Sequence, residues 1–377
     1  MKRNWTLPLY LTDDQAMLRD TARGFMAEEG AIAKQLRHWR DKGCKDGFGH
    51  DLWKQFAELG FNGILIGEAD GGLGLGHVEA GIVLEEIGRN LTPSPFLISA
   101  VAFVEALKGT RHGERWYPGI LAGEAVAALA IDEGPKHRPE AIAMRAERSG
   151  NGFSLSGRKQ FVVQGASADV TLVAANTDEG LTLFAVEKGA RGLDVEGVRL
   201  ADSSIGARLT FDNVELDADA VVGDVGGGQA VLSRVLNAGR TGAAAELVGL
   251  GAAAMDMTVD YLKQRKQFGR LIGEFQALQF RAAHLYSELE IARAATMKAQ
   301  QLLDEGSPDA EAMVAVAKAK AGAASTLAVQ EGVQMHGGIG MTDEYDIGLY
   351  MKRDRVLNEL FGDPAYHADA LARMKGY

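Results

Sequence analysis

The hydrophobic period of this chain changes twice, and that double change limits the folds open to it. Between about 123 and 225 the apolar residues come in short runs, as in Phe153-Ser154-Leu155-Ser156, Gln160-Phe161-Val162-Val163, Val170 to Ala174 and Leu181 to Val186. Gly152, Gly157, Gly165, Gly180 and Gly189 separate these runs, which is the punctuation of strands and turns. Leu209-Thr210-Phe211 and Val214-Glu215-Leu216 continue the series. On either side the spacing is helical: Met17, Leu18, Ala22, Phe25 and Met26 early on, and long segments near 229–265, 275–303 and 309–336 later. Segregated blocks of this kind predict a mainly α protein with a central β domain. The expected parts are a helical domain over 1–122, an antiparallel sandwich or barrel over 123–225, and a helical bundle over 226–377.

Local signals sharpen the helical blocks. Thr12 before Asp13 and Asp14 reads as a capped helix start. A second amphipathic helix over Leu52 to Leu59 ends at Gly60, and a third runs from His77 to Gly88 before Pro93 and Pro95 break the pattern. Gly71, Gly72 and Gly74 between them read as turn geometry or as the wall of a ligand cleft. Asp363 before Pro364 opens the last helix as its cap.

Composition narrows the class of partner. With 46% apolar and 24% charged residues, the 377-residue chain can bury a sizeable core. A net charge of −11, with no long Lys/Arg run, predicts no nucleic-acid partner. The single cysteine, Cys44, fits a reducing compartment, here read as the cytoplasm. The stretch from Met1 to Gln15 has no leader-like apolar run, and no 18-residue uncharged apolar run predicts a membrane span.

Two motifs of the last third invite chemistry: Arg265-Lys266-Gln267-Phe268-Gly269 with Gln276, and Gln334-Met335-His336-Gly337-Gly338-Ile339-Gly340. Both read as lying inside helical patterns, where a glycine costs about 1 kcal/mol against alanine. A bulky polar ligand lying against the backbone would explain them. Arg265 serves either to complement a helix dipole or as a fork for a pyrophosphate. His336 has no His or Cys partner at ligand spacing, so no metal site is expected. Glu246 has only small or apolar neighbours one and two turns away. It reads either as a desolvated base or as a structural carboxylate paired with an arginine of another helix.

The ordered pair of motifs resembles the flavin-binding signature of the acyl-CoA dehydrogenase family. Leu11 to Gln15, Glu68 to Gly74, Gly157 to Phe161 and Leu209 to Val214 look like further landmarks of that family. The resemblance implies FAD contacts at Arg265, Phe268, Gln276, Gln334, Gly337 and Gly338, with Phe161 beside the flavin and Arg240 toward the substrate. It also implies a dimer or tetramer that shares FAD across subunits, and an electron-transfer flavoprotein as acceptor. The implied reaction converts an acyl-CoA to its 2-enoyl-CoA, with a carboxylate taking the α-proton.

The sequence departs from that pattern where the base should stand. Phe361 in Leu360-Phe361-Gly362 occupies the usual glutamate slot, and Gly239 occupies the alternative slot before Arg240. Glu246, two turns beyond Gly239, is the remaining candidate. Phe161, Val163 and Ile131-Asp132-Glu133-Gly134 also replace residues usual in the family's β domain. Three readings follow: a dehydrogenase of bulky, dicarboxylic or steroid-like acyl-CoA esters, a non-catalytic subunit that pairs with a sister chain in an αβ assembly, or a flavoprotein oxidase or desulfinase.

Overall fold

The computed structural model describes residues 9–377, so the first eight residues of the leader reading lie outside it. Helices bracket a sheet in chain order. The first block holds α1 (Asp13–Glu28), α2 (His38–Asp41), α3 (His50–Glu58), α4 (His77–Asn90), α5 (Val104–Leu107) and α6 (His112–Leu121). Eight strands follow: β1 (Ala127–Ala130), β2 (Arg145–Ser149), β3 (Gly152–Val163), β4 (Val170–Thr177), β5 (Gly180–Glu187), β6 (Leu193–Arg199), β7 (Ile205–Leu216) and β8 (Val221–Val222). The last block holds α7 (Gly228–Gln264), a hairpin of β9 (Lys266–Gln267) and β10 (Arg270–Leu271), α8 (Gln276–Asp304), α9 (Ala310–His336), α10 (Ile347–Glu359) and α11 (Pro364–Met374).

The expected caps are present. The Thr12 hydroxyl accepts from the Gln15 amide while the Gln15 side chain accepts from the Thr12 amide, so two orphan donors of α1 are satisfied reciprocally. Asp363 accepts from the Tyr366 amide, with Pro364 at the first position of α11. Gly60 ends α3 at φ +78°.

The chain forms two compact units. One comprises Gln35–Leu75 and Pro93–Gly239. Its eight-stranded sheet runs β6-β7-β3-β2-β4-β5-β8, with β1 also on β4. The expectation of antiparallel pairing holds for most of it, but β1 and β2 run parallel to β4. Phe153 of β3 (Gly152–Val163) and Phe184 of β5 (Gly180–Glu187) meet edge to face at 5.3 Å although two strands lie between them, so the sheet curls round one core. Two runs that read as separate strands, Phe153–Ser156 and Gln160–Val163, are one strand with register shifts, and Phe161 stands there at φ +53°. Likewise Asn213 at φ +50° interrupts β7 (Ile205–Leu216) without ending it. Such bulges re-aim side chains, and alternation alone does not reveal them.

The other unit comprises the described residues up to Lys34, Gly76–Thr92 and Arg240–Tyr377. Two of its glycines explain how closely α4 and α7 approach. A Cβ on Gly88 would overlap the Glu246 carbonyl, and one on Gly249 would overlap the Glu85 carbonyl. These glycines serve helix packing rather than a ligand. The windows of highest hydropathy in α7 and α9 average 1.2 and 1.3, long and apolar enough by composition to cross a membrane, yet 78% and 56% of each is buried inside the protein. That is the pattern of core helices.

Candidate functional site

The arm after α7 is not helical, and this corrects the reading of its glycine as a helix-interior residue. Gln267 pairs with Arg270 across a two-residue turn whose central residues, Phe268 and Gly269, have φ +55° and +80°. Positive φ at both positions is the twist that a tight hairpin selects, so Gly269 is required by the turn. Phe268 at the tip is 92% exposed and touches Phe275 edge to face at 6.3 Å. Arg270 lies 4.0 Å above the Phe275 ring. Arg265, directly after α7, has no carboxylate partner among the described residues. Its two readings, dipole complement and anion fork, therefore both keep their geometry. Gln276 begins α8 and is exposed.

The second motif lies at the end of α9. Gly337 caps that helix at φ +64°, its amide donating to the Gln334 carbonyl. Gly340 is required by packing, since a Cβ there would come within 2.8 Å of the Val333 carbonyl. Gly338 differs: its φ is not positive, and a Cβ would meet nothing within 4 Å. Nothing among the described residues accounts for a glycine there, whereas a ligand lying against the backbone would. Gln334, Gly337 and Gly338 are all exposed.

Tilted ring contacts join the two motifs. Tyr261, one turn before Arg265, lies 4.4 Å from the His336 ring, and His336 lies 4.8 Å from Tyr345. The arm and the glycine run therefore leave the bundle at the same end. His336 Nδ1 donates to the Gly332 carbonyl at 2.6 Å, and burial lowers the imidazole pKa. No group of three or more His, Cys, Asp or Glu among the described residues could hold a metal ion.

An exposed arginine, an aromatic tip, two exposed amides and an open backbone cradle suit a large anionic ligand with a flat ring system, which fits FAD. Phe161 belongs to the other compact unit, in β3. Beside it the fully buried Lys159 donates to the Ile131 carbonyl and to Glu133. Burial raises the Glu133 pKa, but that hydrogen bond and the Ala143 and Met144 amides outweigh it and hold the carboxyl below its usual range.

Glu246 is buried as expected but is not unpaired. Arg353 of α10 donates to Glu246 Oε1 through Nε at 2.8 Å and Nη2 at 2.6 Å. An unpaired carboxylate was the premise of the base reading. The geometry is that of the other reading, a structural carboxylate held by an arginine of a neighbouring helix. Arg240 turns toward the turn after α10: Nε reaches the Phe361 carbonyl at 3.4 Å and Nη2 the Tyr366 hydroxyl at 3.3 Å. Phe361, 4% exposed, stands at φ +62° and is followed by Gly362 at φ +104°.

Arg353 and Lys318 escaped the sequence reading, and His367 was read only as a member of the last helix. Lys318 is fully buried, in an alanine-rich stretch where a lone lysine on an apolar face was the available signal. His367 Nε2 donates to the Phe361 carbonyl at 3.0 Å. No sequence spacing links that pair.

Comparison with known proteins agrees with this layout. Residues 12–124 match the family model for the acyl-CoA dehydrogenase N-terminal domain, and residues 226–375 the model for the C-terminal domain. A cyclohex-1-ene-1-carbonyl-CoA dehydrogenase of Geobacter metallireducens is 32% identical, covering 93% of this chain and 95% of its own. The solved structure of a variant of the Tcur3481-Tcur3483 steroid ACAD is 29% identical, with TM-score 0.87 over 96% of this chain and 98% of that one. A structure described as the electron transferring flavoprotein of Acidaminococcus fermentans is 28% identical, with TM-score 0.88 over 98% of this chain and 100% of that one. With both family domains matched and a relative above 30% identity along nearly its whole length, this chain belongs to the acyl-CoA dehydrogenase family of oxidoreductases.

Proposed function

We propose that this chain takes part in FAD-dependent α,β-dehydrogenation of an acyl-CoA thioester, as one subunit of an assembly in which a sister chain brings the base. One observation carries the reading: Gly239 and Phe361 fill the two places where the family keeps its base, and Glu246 is bound to Arg353. Freeing that carboxylate would break a two-bond ion pair on an almost completely buried charge, a cost of about 3–5 kcal/mol. The similarity to the Tcur3481-Tcur3483 steroid ACAD and to a cyclohex-1-ene-1-carbonyl-CoA dehydrogenase supports a bulky or cyclic acyl group. The resemblance to the acyl-CoA dehydrogenase family implies an electron-transfer flavoprotein as acceptor. The lone Cys44 supports a reducing, cytoplasmic setting.

Each residue then has a task. Arg265 and the Gln276 and Gln334 amides anchor the polar part of FAD, Phe268 gives it an apolar wall, and Gly337 and Gly338 let it approach main chain. Bound FAD supplies the hydride acceptor for the β-hydrogen. Phe361 keeps the wall at its position apolar, and Arg240 holds the carbonyl of that residue in place instead of reaching for substrate charge.

The test is anaerobic bleaching of the flavin by a panel of acyl-CoA esters, with the chain expressed alone and with a sister acyl-CoA dehydrogenase subunit. The reading expects yellow protein in both cases and bleaching only in the mixed assembly. Colourless protein in both would remove the flavin part, and bleaching by the chain alone would remove the half-site part.

A further inference from the structure

The turn between α10 and α11 has unusual main-chain requirements. Phe361 and Gly362 both stand at positive φ, and for a phenylalanine that conformation persists only where its surroundings impose it. The last carbonyls of α10 also lack intrahelical partners, as at any helix end.

Lys318, in the middle of α9, meets both requirements. Its ammonium donates to the carbonyls of Leu357 at 3.0 Å, Asn358 at 3.3 Å and Gly362 at 3.0 Å. An ammonium has three N–H donors, and all three are spent on main chain. Two of the acceptors belong to the buried last turn of α10, where a cation is also favoured by the helix dipole. The third lies beyond the strained pair, so a single side chain ties the two sides of the turn together. His367 and Arg240 bind the carbonyl that links the strained pair, that of Phe361.

We propose that Lys318 is a positioning residue, whose three-carbonyl clamp sets where residue 361 stands in the site wall. The link to that wall rests on the functional reading above, but the clamp does not. Around the ammonium lie Asp354 and Glu359 of α10, Asp363 and His367 at the start of α11, and Arg240 of α7. Burial pushes the Lys318 pKa down to about 7, with Asp354 opposing and Arg240 adding to the fall. An opened turn would return the lysine toward its ordinary value of 10.5. Opening therefore takes up a proton, and it becomes harder as pH rises above about 7, by up to about tenfold per unit.

Amide hydrogen exchange of the full-length protein, corrected for intrinsic rates, reads this directly. In the wild type the amides of residues 360–363 should slow as pH rises from 7 to 9. Lys318→Met should speed them at least tenfold, abolish that pH dependence and leave the β-sheet amides unchanged. His367→Gln, which keeps a donor but does not titrate, should retain the dependence. Unchanged exchange in Lys318→Met, equal acceleration throughout the protein, or loss of the pH dependence in His367→Gln would each overturn the proposal. If Lys318→Met does not fold, the wild-type and His367→Gln pH profiles still decide it. Neither acyl-CoA nor flavin chemistry enters the readout, so this result and the bleaching result stand or fall separately.

Discussion

Glu246 and Lys318 are both charged residues near the middle of long helices in one compact unit, and both are almost completely buried. They are stabilised in different ways. Glu246 meets an opposite charge, the Arg353 guanidinium, which reaches it from α10. Lys318 forms no ion pair within 4 Å among the described residues and spends its donors on carbonyls of α10 and the turn beyond. An ion pair holds one helix against another, whereas a charge on carbonyls shapes the main chain itself. Burial alone, the property legible in sequence, does not separate the two.

The largest effect should come from breaking the ion pair on one side. Arg353→Met removes the guanidinium from the buried Glu246 carboxylate and should lower stability by about 3–5 kcal/mol in denaturant unfolding. The double variant Arg353→Met/Glu246→Gln should recover more than half of that loss. No recovery would show that Arg353 acts through packing instead.

Lys318→Met should come next, at about 2–3 kcal/mol, because it leaves main-chain acceptors unsatisfied without stranding an opposite charge. Its pH signature separates it from the ion pair. The folded-state pKa of Lys318, about 7, lies below its unfolded value. The cost of burying its charge is therefore present in full below pH 7 and is relieved as pH rises toward 10.5. Wild-type stability should accordingly gain with pH above 7 relative to Lys318→Met. Parallel stability curves for the two proteins would contradict the clamp.

The smallest effect on stability should be at the arm. Phe268→Ser removes an exposed ring and should change stability by less than about 0.5 kcal/mol. It should nevertheless weaken FAD binding about tenfold in a fluorescence titration. A stability loss as large as that of Lys318→Met would mean that the ring belongs to the fold and not to the cofactor.

Much of the fold was legible because period is local. The helices near 228–264, 276–304 and 310–336 follow directly from apolar spacing, and the Thr12 and Asp363 caps from single residues. The parallel pairing of β1 and β2 with β4 was not, since alternation carries no direction. The gap between the helices near 229–265 and 275–303 was legible, but the hairpin that fills it was not, because Phe268-Gly269 is a turn signal only once both residues are known to stand at positive φ. At the site, Gly338 and Arg265 could be picked out from the motif. The partners of Glu246 and Lys318 could not, because Arg353 and the Gly362 carbonyl lie 107 and 44 residues away.

The role of Glu246 is the point on which the functional reading turns. Anaerobic mixing of an acyl-CoA with FAD-loaded protein, alone and paired with a sister subunit, should be compared between wild type and Glu246→Gln. The Glu246–Arg353 pair predicts no bleaching by the chain alone and equal rates for the two paired proteins. Bleaching by the wild-type chain alone that Glu246→Gln abolishes, with FAD affinity unchanged, would make Glu246 the base and contradict the account.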